Sequence, residues 1–185
     1  VVMMLPDAWV NHIITGIIGA VLFIGASVTD MLDGKIARKY HLITDFGKLM
    51  DPLADKFMVI GALTVILYRY GSVSPALHVF FAAALLIVVF RELAVTSLRL
   101  VASKSGVVVA ANMLGKIKTV TQIVFVSTTI IEPMLYEIPF LSFLPDWWVG
   151  NVPLTWLTGA VSLFFTIVSG INYFKVMWPY MEPEK

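Results

Sequence analysis

Four aspartates stand in two pairs in the first third of the sequence, Asp30 with Asp33 and Asp51 with Asp55. In a helix, spacings of three and four residues place both members of each pair on one face. Two antiparallel helices joined by a short loop could bring the pairs into one pocket, where four carboxylates repel one another unless cations neutralise them. Oxygen ligands suit hard divalent ions such as Mg²⁺ or Mn²⁺. The pattern therefore predicts a divalent-metal site.

The elements that must position these aspartates are predicted to be helices in a membrane. The chain has 185 residues, of which 59% are hydrophobic and 14% charged, whereas a soluble domain is about 45–50% apolar and about 25% charged. Only helices and closed barrels satisfy backbone groups in lipid, and the apolar runs here are too long for barrel strands. We therefore expect an all-α, polytopic transmembrane bundle that forms one domain over residues 1–185. The five apolar runs are 8–28, 57–70, 75–90 (continuing to 102), 120–131 and 154–176.

Composition and charge exclude other classes and predict an orientation. The absence of cysteine excludes disulfides, thiolate metal sites and a cysteine nucleophile. A net charge of +1 gives no field that would favour nucleic acid, so no nucleic-acid partner is expected. Nearly all lysines and arginines lie in 30–56, 91–118 and the C-terminal tail, whereas 132–152 contains none. The positive-inside rule then places the aspartate pairs at the cytoplasmic face.

The spacing of the aspartate segment resembles the signature of the CDP-alcohol phosphatidyltransferases. The segment reads Asp30-x2-Asp33-Gly34-x2-Ala37-Arg38-x8-Gly47-x3-Asp51-x3-Asp55, and all eight fixed positions match. The resemblance implies a membrane enzyme that transfers a phosphatidyl or related group from a CDP-linked donor to an alcohol and releases CMP. It also implies six transmembrane helices, the first one truncated or incomplete here, a homodimer, and a site open to the cytoplasm.

The same resemblance implies roles for individual residues. Two divalent cations, Mg²⁺ or Mn²⁺, would be held by the aspartates, and Asp55 would also be the base that takes the acceptor's proton. The implied metal ligands are Asp30, Asp33, Asp51 and Asp55, and the residues implied to contact CDP-diacylglycerol are Gly34, Arg38 and Thr44.

Three further segments, 46–56, 91–100 and 114–119, are similar to bacterial phosphatidylglycerophosphate synthases. That similarity implies transfer of the phosphatidyl group from CDP-diacylglycerol to sn-glycerol 3-phosphate, giving phosphatidylglycerol phosphate, in a bacterial inner membrane. Because this acceptor is itself a phosphate, it needs cations of its own. The candidates are Arg91, Arg99, Lys116 and Lys118.

These basic residues also admit plainer interpretations. Arg91 and Lys116 could be anchors whose charged ends reach the membrane surface, and Arg91 and Glu92 could pair with each other's neighbours in structural contacts. Arg91 and Arg99 are eight residues apart, two helical turns, which favours a shared site. The role of Lys56, which follows Asp55 directly, stays open.

Two other functions remain as alternatives. A sibling transferase that makes cardiolipin, phosphatidylserine or phosphatidylinositol phosphate would share the aspartates and differ in the acceptor pocket. A divalent-cation transporter could use four carboxylates, but it has no use for Gly34, Ala37 and Arg38 at fixed spacing. Release of CMP in the presence of different acceptors distinguishes all of these.

Overall fold

In a computed structural model of the chain, residues 12–39, 45–71, 74–104, 113–136 and 145–178 are described. Over these ranges the chain forms helices and no strand, which confirms the all-α prediction. The helices are α1 (His12–Lys39), α2 (Asp45–Tyr70), α3 (Pro75–Lys104), α4 (Met113–Leu135), α5 (Asp146–Asn151) and α6 (Pro153–Met177).

Over its described residues, each of the five apolar runs lies in one of the long helices. Four stretches of the described chain are long and apolar enough to cross a membrane: Ile13–Asp30, Pro75–Ala102, Met113–Leu135 and Trp148–Met177. Helix α2 is not among them, because its apolar part is shorter and is bounded by Asp55, Lys56 and Arg69. With 26 residues, it is nevertheless about 39 Å long, which exceeds the thickness of a bilayer core.

The connectivity places the aspartate pairs and the basic residues at the same end of the bundle. Helix α1 ends at Lys39 and α2 begins at Asp45, so the connection is short and joins neighbouring ends. Lys56 of α2 bonds to Thr96 of α3, and Glu92 of α3 bonds to Lys118 of α4. These pairs show that the start of α2, the second half of α3 and the start of α4 lie at one level.

In the core, aromatic side chains of α3 and α4 pack against a glycine of α6. Phe81 and Phe125 are fully buried and stack with ring centroids 5.9 Å apart. Gly159 of α6 lies directly against Phe125 and Phe80: a Cβ atom there would come within 2.7 Å of the Phe125 ring and 2.5 Å of the Phe80 ring. Small residues let helix backbones approach closely in membranes, where the hydrophobic effect does not drive helices together. The other buried residues of α6 are Thr155, Ser162, Thr166, Ser169, Tyr173 and Met177.

A proline inside α4 is compensated from α2. Pro133 has no N–H, so the carbonyl of Thr129, four residues earlier, loses its usual partner within the helix. The hydroxyl of Tyr70 donates a hydrogen bond to that carbonyl oxygen at 3.4 Å in a buried position. An unsatisfied backbone group is costly in the interior. This contact replaces the hydrogen bond that Pro133 cannot donate, and it also connects α2 to α4.

Glu132 of α4 caps the first turn of α6. The backbone N–H groups of Leu154 and Thr155 donate to its two carboxylate oxygens at 2.9 and 2.7 Å, and the Tyr136 hydroxyl donates at 2.6 Å. Val152, the residue at the N-cap position, has left-handed backbone angles (φ 41°, ψ 61°) and provides no side-chain cap. A carboxylate at a helix N-terminus also interacts favourably with the helix dipole. Glu132 therefore supplies the cap that the local sequence lacks.

Replacing Glu132 with alanine should lower the free energy of unfolding by about 3 kcal/mol or more. The change removes three hydrogen bonds to the carboxylate. Hydrogen bonds to a charged group contribute about 1.5–3 kcal/mol each. Thermal unfolding in detergent measures the change. Thr64→Ala is the comparison: this exposed hydroxyl bonds to the carbonyl of Ile60 in its own helix, and the change should stay within about 0.5 kcal/mol. Equal stabilities for the two variants would contradict the capping role.

Candidate functional site

Both aspartate pairs lie on helices, as the spacing predicts. Asp30 and Asp33 are in the last part of α1, and Asp51 and Asp55 are in the first half of α2. Asp30 is exposed, whereas the side chains of the other three lie outside the described residues. Among the side chains that the structure describes, no three histidine or acidic groups converge on a metal position. The donor chemistry, carboxylate oxygens on adjoining ends of two helices, fits a hard divalent cation.

The residues predicted to contact the CDP-linked donor lie in the same region. Gly34 and Arg38 belong to the last turns of α1, but their side chains are outside the described residues. Thr44 lies in the connection 40–44, which is also outside them. Their contact with the donor stays a prediction.

Arg91 of α3 and Lys118 of α4 converge on one buried carboxylate. Glu92 Oε1 accepts a hydrogen bond from Arg91 Nη1 at 2.9 Å and another from Lys118 Nζ. Glu92 is 8% exposed and Lys118 is 5% exposed, so this ion pair is shielded from solvent by the surrounding helices. Two cations that are 27 residues apart in the sequence are thus brought together at one carboxylate oxygen.

Helix α6 provides partners for the two arginines. Arg91 Nη2 donates to Ser169 Oγ at 3.1 Å, and Arg99 Nη2 donates to the Tyr173 hydroxyl at 2.5 Å. The guanidinium carbons lie 5.7 Å (Arg91) and 4.9 Å (Arg99) from the centroid of the Tyr173 ring, within the range of cation–π attraction. Both arginines thus lie beside the same aromatic ring, which is consistent with their eight-residue spacing on α3, whereas their sharing of an acceptor site stays a prediction.

Lys116 is not brought to this cluster. It is exposed, whereas Lys118 is buried, because two residues along a helix are separated by about 200° around its axis. Arg91 and Lys118 therefore form the centre of the basic group, Arg99 extends it along α3, and Lys116 lies on the other face of α4.

Lys56 joins the group from α2. Its Nζ donates to Thr96 Oγ1 at 2.5 Å, and the Thr96 hydroxyl in turn donates to the Glu92 carbonyl oxygen at 2.7 Å. A small cavity between α2, α3 and α4 is lined by Lys56, Glu92, Lys118 and Gln122, together with apolar side chains. Within the described part of the chain, the cations of this group outnumber its one carboxylate, Glu92. Guanidinium and ammonium groups gathered at one place are suited to binding an anion.

Glu92 contacts both Arg91 and Lys118, so these residues form structural ion pairs, and a role of the two cations in binding an acceptor stays a prediction. The sequence did not indicate that Glu92 is the shared partner of Arg91 and Lys118. Nor did it indicate that Ser169 and Tyr173 are partners of the arginines. The available signal was the presence of polar side chains inside the last apolar run. In a membrane helix, such residues mark the face that points into the bundle.

Comparison with known proteins shows the family of the chain. The profile of the family described as CDP-alcohol phosphatidyltransferase matches residues 2–168. The chain is 46% identical over 160 residues to the CDP-diacylglycerol–glycerol-3-phosphate 3-phosphatidyltransferase of Bacillus subtilis (strain 168), covering 86% of this chain and 73% of that protein. It is 35% identical over 172 residues to the protein of the same name from Rickettsia typhi (93% and 86% covered). It is 30% identical over 182 residues to the one from Treponema pallidum (98% and 79% covered). With both the signature aspartates and the greater part of its length matched, the chain belongs to the CDP-alcohol phosphatidyltransferase family.

Proposed function

We propose that the protein transfers the phosphatidyl group from CDP-diacylglycerol to sn-glycerol 3-phosphate, giving phosphatidylglycerol phosphate and CMP. The observation that carries the choice of acceptor is the cluster of Arg91, Lys118 and Lys56 around Glu92. A phosphorylated alcohol supplies an anion that guanidinium and ammonium groups bind well, whereas a neutral alcohol carries no charge for them to bind. The names of the relatives agree with this acceptor.

In this proposal the four aspartates hold one or two divalent cations, Mg²⁺ or Mn²⁺, which when bound neutralise the pyrophosphate of the donor. Gly34, Arg38 and Thr44 contact the CDP group, with Arg38 adding a guanidinium at its phosphates. Asp55 takes the proton of the acceptor hydroxyl. The hydroxyl oxygen forms a bond to the phosphatidyl phosphorus while the bond from that phosphorus to CMP breaks.

The proposal also places the enzyme in the cell. The concentration of lysine and arginine at the aspartate end of the bundle supports a cytoplasmic active site in a bacterial inner membrane. That side is also where a water-soluble acceptor is available. We further propose a homodimer as the functional form, on the basis of the family resemblance.

Release of CMP from CDP-diacylglycerol by purified protein in detergent micelles tests the reaction. Glycerol 3-phosphate, serine, inositol phosphate and phosphatidylglycerol are supplied one at a time as acceptors. We expect release only with glycerol 3-phosphate. Release with one of the other acceptors instead would assign the chain to a sibling activity, and cation transport without release of CMP would support the transporter alternative.

Replacing Arg91 or Lys118 with alanine should raise the KM for glycerol 3-phosphate about tenfold or more and leave the KM for CDP-diacylglycerol little changed. The reason is that a hydrogen bond between charged partners contributes about 1.5–3 kcal/mol, and about 1.4 kcal/mol corresponds to a factor of ten. Initial rates measured with each substrate varied in turn give both constants.

Lys116→Ala is the matched comparison, because it removes the same charge from the exposed face of the same helix. We expect it to raise the acceptor KM much less than Lys118→Ala. An unchanged acceptor KM in both Arg91→Ala and Lys118→Ala would reject the acceptor site.

A further inference from the structure

We propose that Glu92 is a positioning residue of the acceptor site: it holds Arg91 and Lys118 in a fixed relation so that both can bind one phosphate group. The inference rests on the proposed function, since it assigns a role within the binding of glycerol 3-phosphate. It concerns the carboxylate of the cluster, which carries the wrong charge to bind the phosphate itself.

The geometry supports this role because one oxygen of Glu92 serves two helices. Oε1 accepts from Arg91 on its own helix α3 and from Lys118 on α4. A lysine side chain has a flexible four-carbon stem and loses rotamer freedom when it binds a ligand. Fixing its ammonium group in advance reduces the entropy that binding must cost. The Ser169 hydroxyl holds the other terminal nitrogen of Arg91 from α6, so the guanidinium is held from two sides.

Glu92 is also connected to the helix that carries the predicted base. Its backbone carbonyl accepts a hydrogen bond from the Thr96 hydroxyl, and Thr96 Oγ1 accepts from Lys56 Nζ. Lys56 directly follows Asp55 in α2. Hydrogen bonds therefore connect the turn of α3 that carries Glu92 to the turn of α2 that carries Asp55. This connection fixes the distance between the proposed binding place of the acceptor's phosphate and the proposed base.

Positioning and simple neutralisation predict opposite results for Glu92→Gln. If Glu92 only offsets positive charge, its loss leaves the cluster more positive and glycerol 3-phosphate binds more tightly, so the acceptor KM falls. If Glu92 positions the cations, its loss removes one contact from Lys118 and one from Arg91, and the acceptor KM rises.

The experiment compares Glu92→Gln and Glu92→Asp with the unaltered protein in micelles that contain CDP-diacylglycerol. We expect the KM for glycerol 3-phosphate to rise about tenfold in Glu92→Gln, equivalent to one lost charge-assisted contact. Glu92→Asp keeps the charge but withdraws the carboxylate by one methylene group, so we expect an intermediate rise. The KM for CDP-diacylglycerol should stay within about twofold in both variants.

Glu132→Gln is the control, since it makes the same change in a second buried carboxylate that contacts the start of α6 instead of the cluster. We expect it to lower thermal stability without raising the acceptor KM. If Glu92→Gln does not fold, Glu92→Asp decides. An unchanged or lower acceptor KM in the folded Glu92 variants, or an equal rise in Glu132→Gln, would overturn the positioning role. Failure of the unaltered protein to release CMP with glycerol 3-phosphate would instead refute the proposed function.

Discussion

Replacing Asp30, Asp33 or Asp51 with asparagine is expected to abolish release of CMP, and so is removal of divalent cations from the unaltered protein. The physical reason is that the four aspartates gather negative charge at adjoining ends of α1 and α2, where it is unfavourable without cations. A donor pyrophosphate adds more negative charge to the same place. An asparagine keeps the volume of the side chain but binds a hard cation more weakly than a carboxylate does.

Rates of CMP release in excess EDTA, and then after addition of Mg²⁺ or Mn²⁺, measure the requirement directly. Thermal unfolding of each variant shows whether the fold is retained. We expect it to be retained because the aspartates are not part of the aromatic core of α3 and α4. Full activity in excess EDTA would contradict the metal proposal. Loss of activity together with loss of the fold would leave the EDTA experiment as the decisive measurement.

Replacing Asp55 with asparagine is expected to lower kcat by about 10²–10⁴-fold, the usual contribution of a positioned general base, while binding of CDP-diacylglycerol weakens far less. Asp55 is followed in α2 by Lys56. Lys56 bonds to Thr96 of α3, which lies beside the cluster of Arg91, Lys118 and Glu92. Of the four aspartates it is therefore the one tied most directly to the place where we propose the acceptor lies.

Binding of the nucleotide donor must be measured in the same variant, because Asp55 is also expected to ligate a metal. Equilibrium binding of CDP-diacylglycerol to the Asp55→Asn protein, compared with Asp51→Asn, separates the two roles. If donor binding collapses in step with kcat, Asp55 acts chiefly as a metal ligand and the assignment as base is wrong.

Within the described residues, hydropathy located every long helix but underestimated the length of three of them, α1, α2 and α4. The runs predicted for α3 and α6 agree with the observed helices within a few residues, because these helices are apolar almost throughout. Helices α1 and α2 extend well beyond their apolar runs into the aspartate segment, to Lys39 and from Asp45. A run of apolar residues records the part of a helix that faces lipid or core, and a helix continues through charged residues wherever they have partners or a ligand.

The aspartate part of the site was predictable because its members are close in sequence and their helical spacing alone places them together. The acceptor cluster was predictable as a set of basic residues but not as a structure. Nothing in the sequence relates Glu92 to Lys118, or Arg99 to Tyr173, since these pairs form through packing of separate helices. The separation of Lys116 from Lys118 follows from helix geometry once it is known which face of α4 is buried.

The cap that Glu132 provides for α6 has a consequence for how the protein is made. A ribosome completes α4 before α6 exists, so the Glu132 carboxylate enters the membrane ahead of the backbone amides that bind it. An ionised group within a spanning segment is unfavourable until it is paired. We therefore expect helix α4 to reach its final depth only when the start of α6 arrives, so that the two segments complete membrane insertion as one unit rather than one after the other.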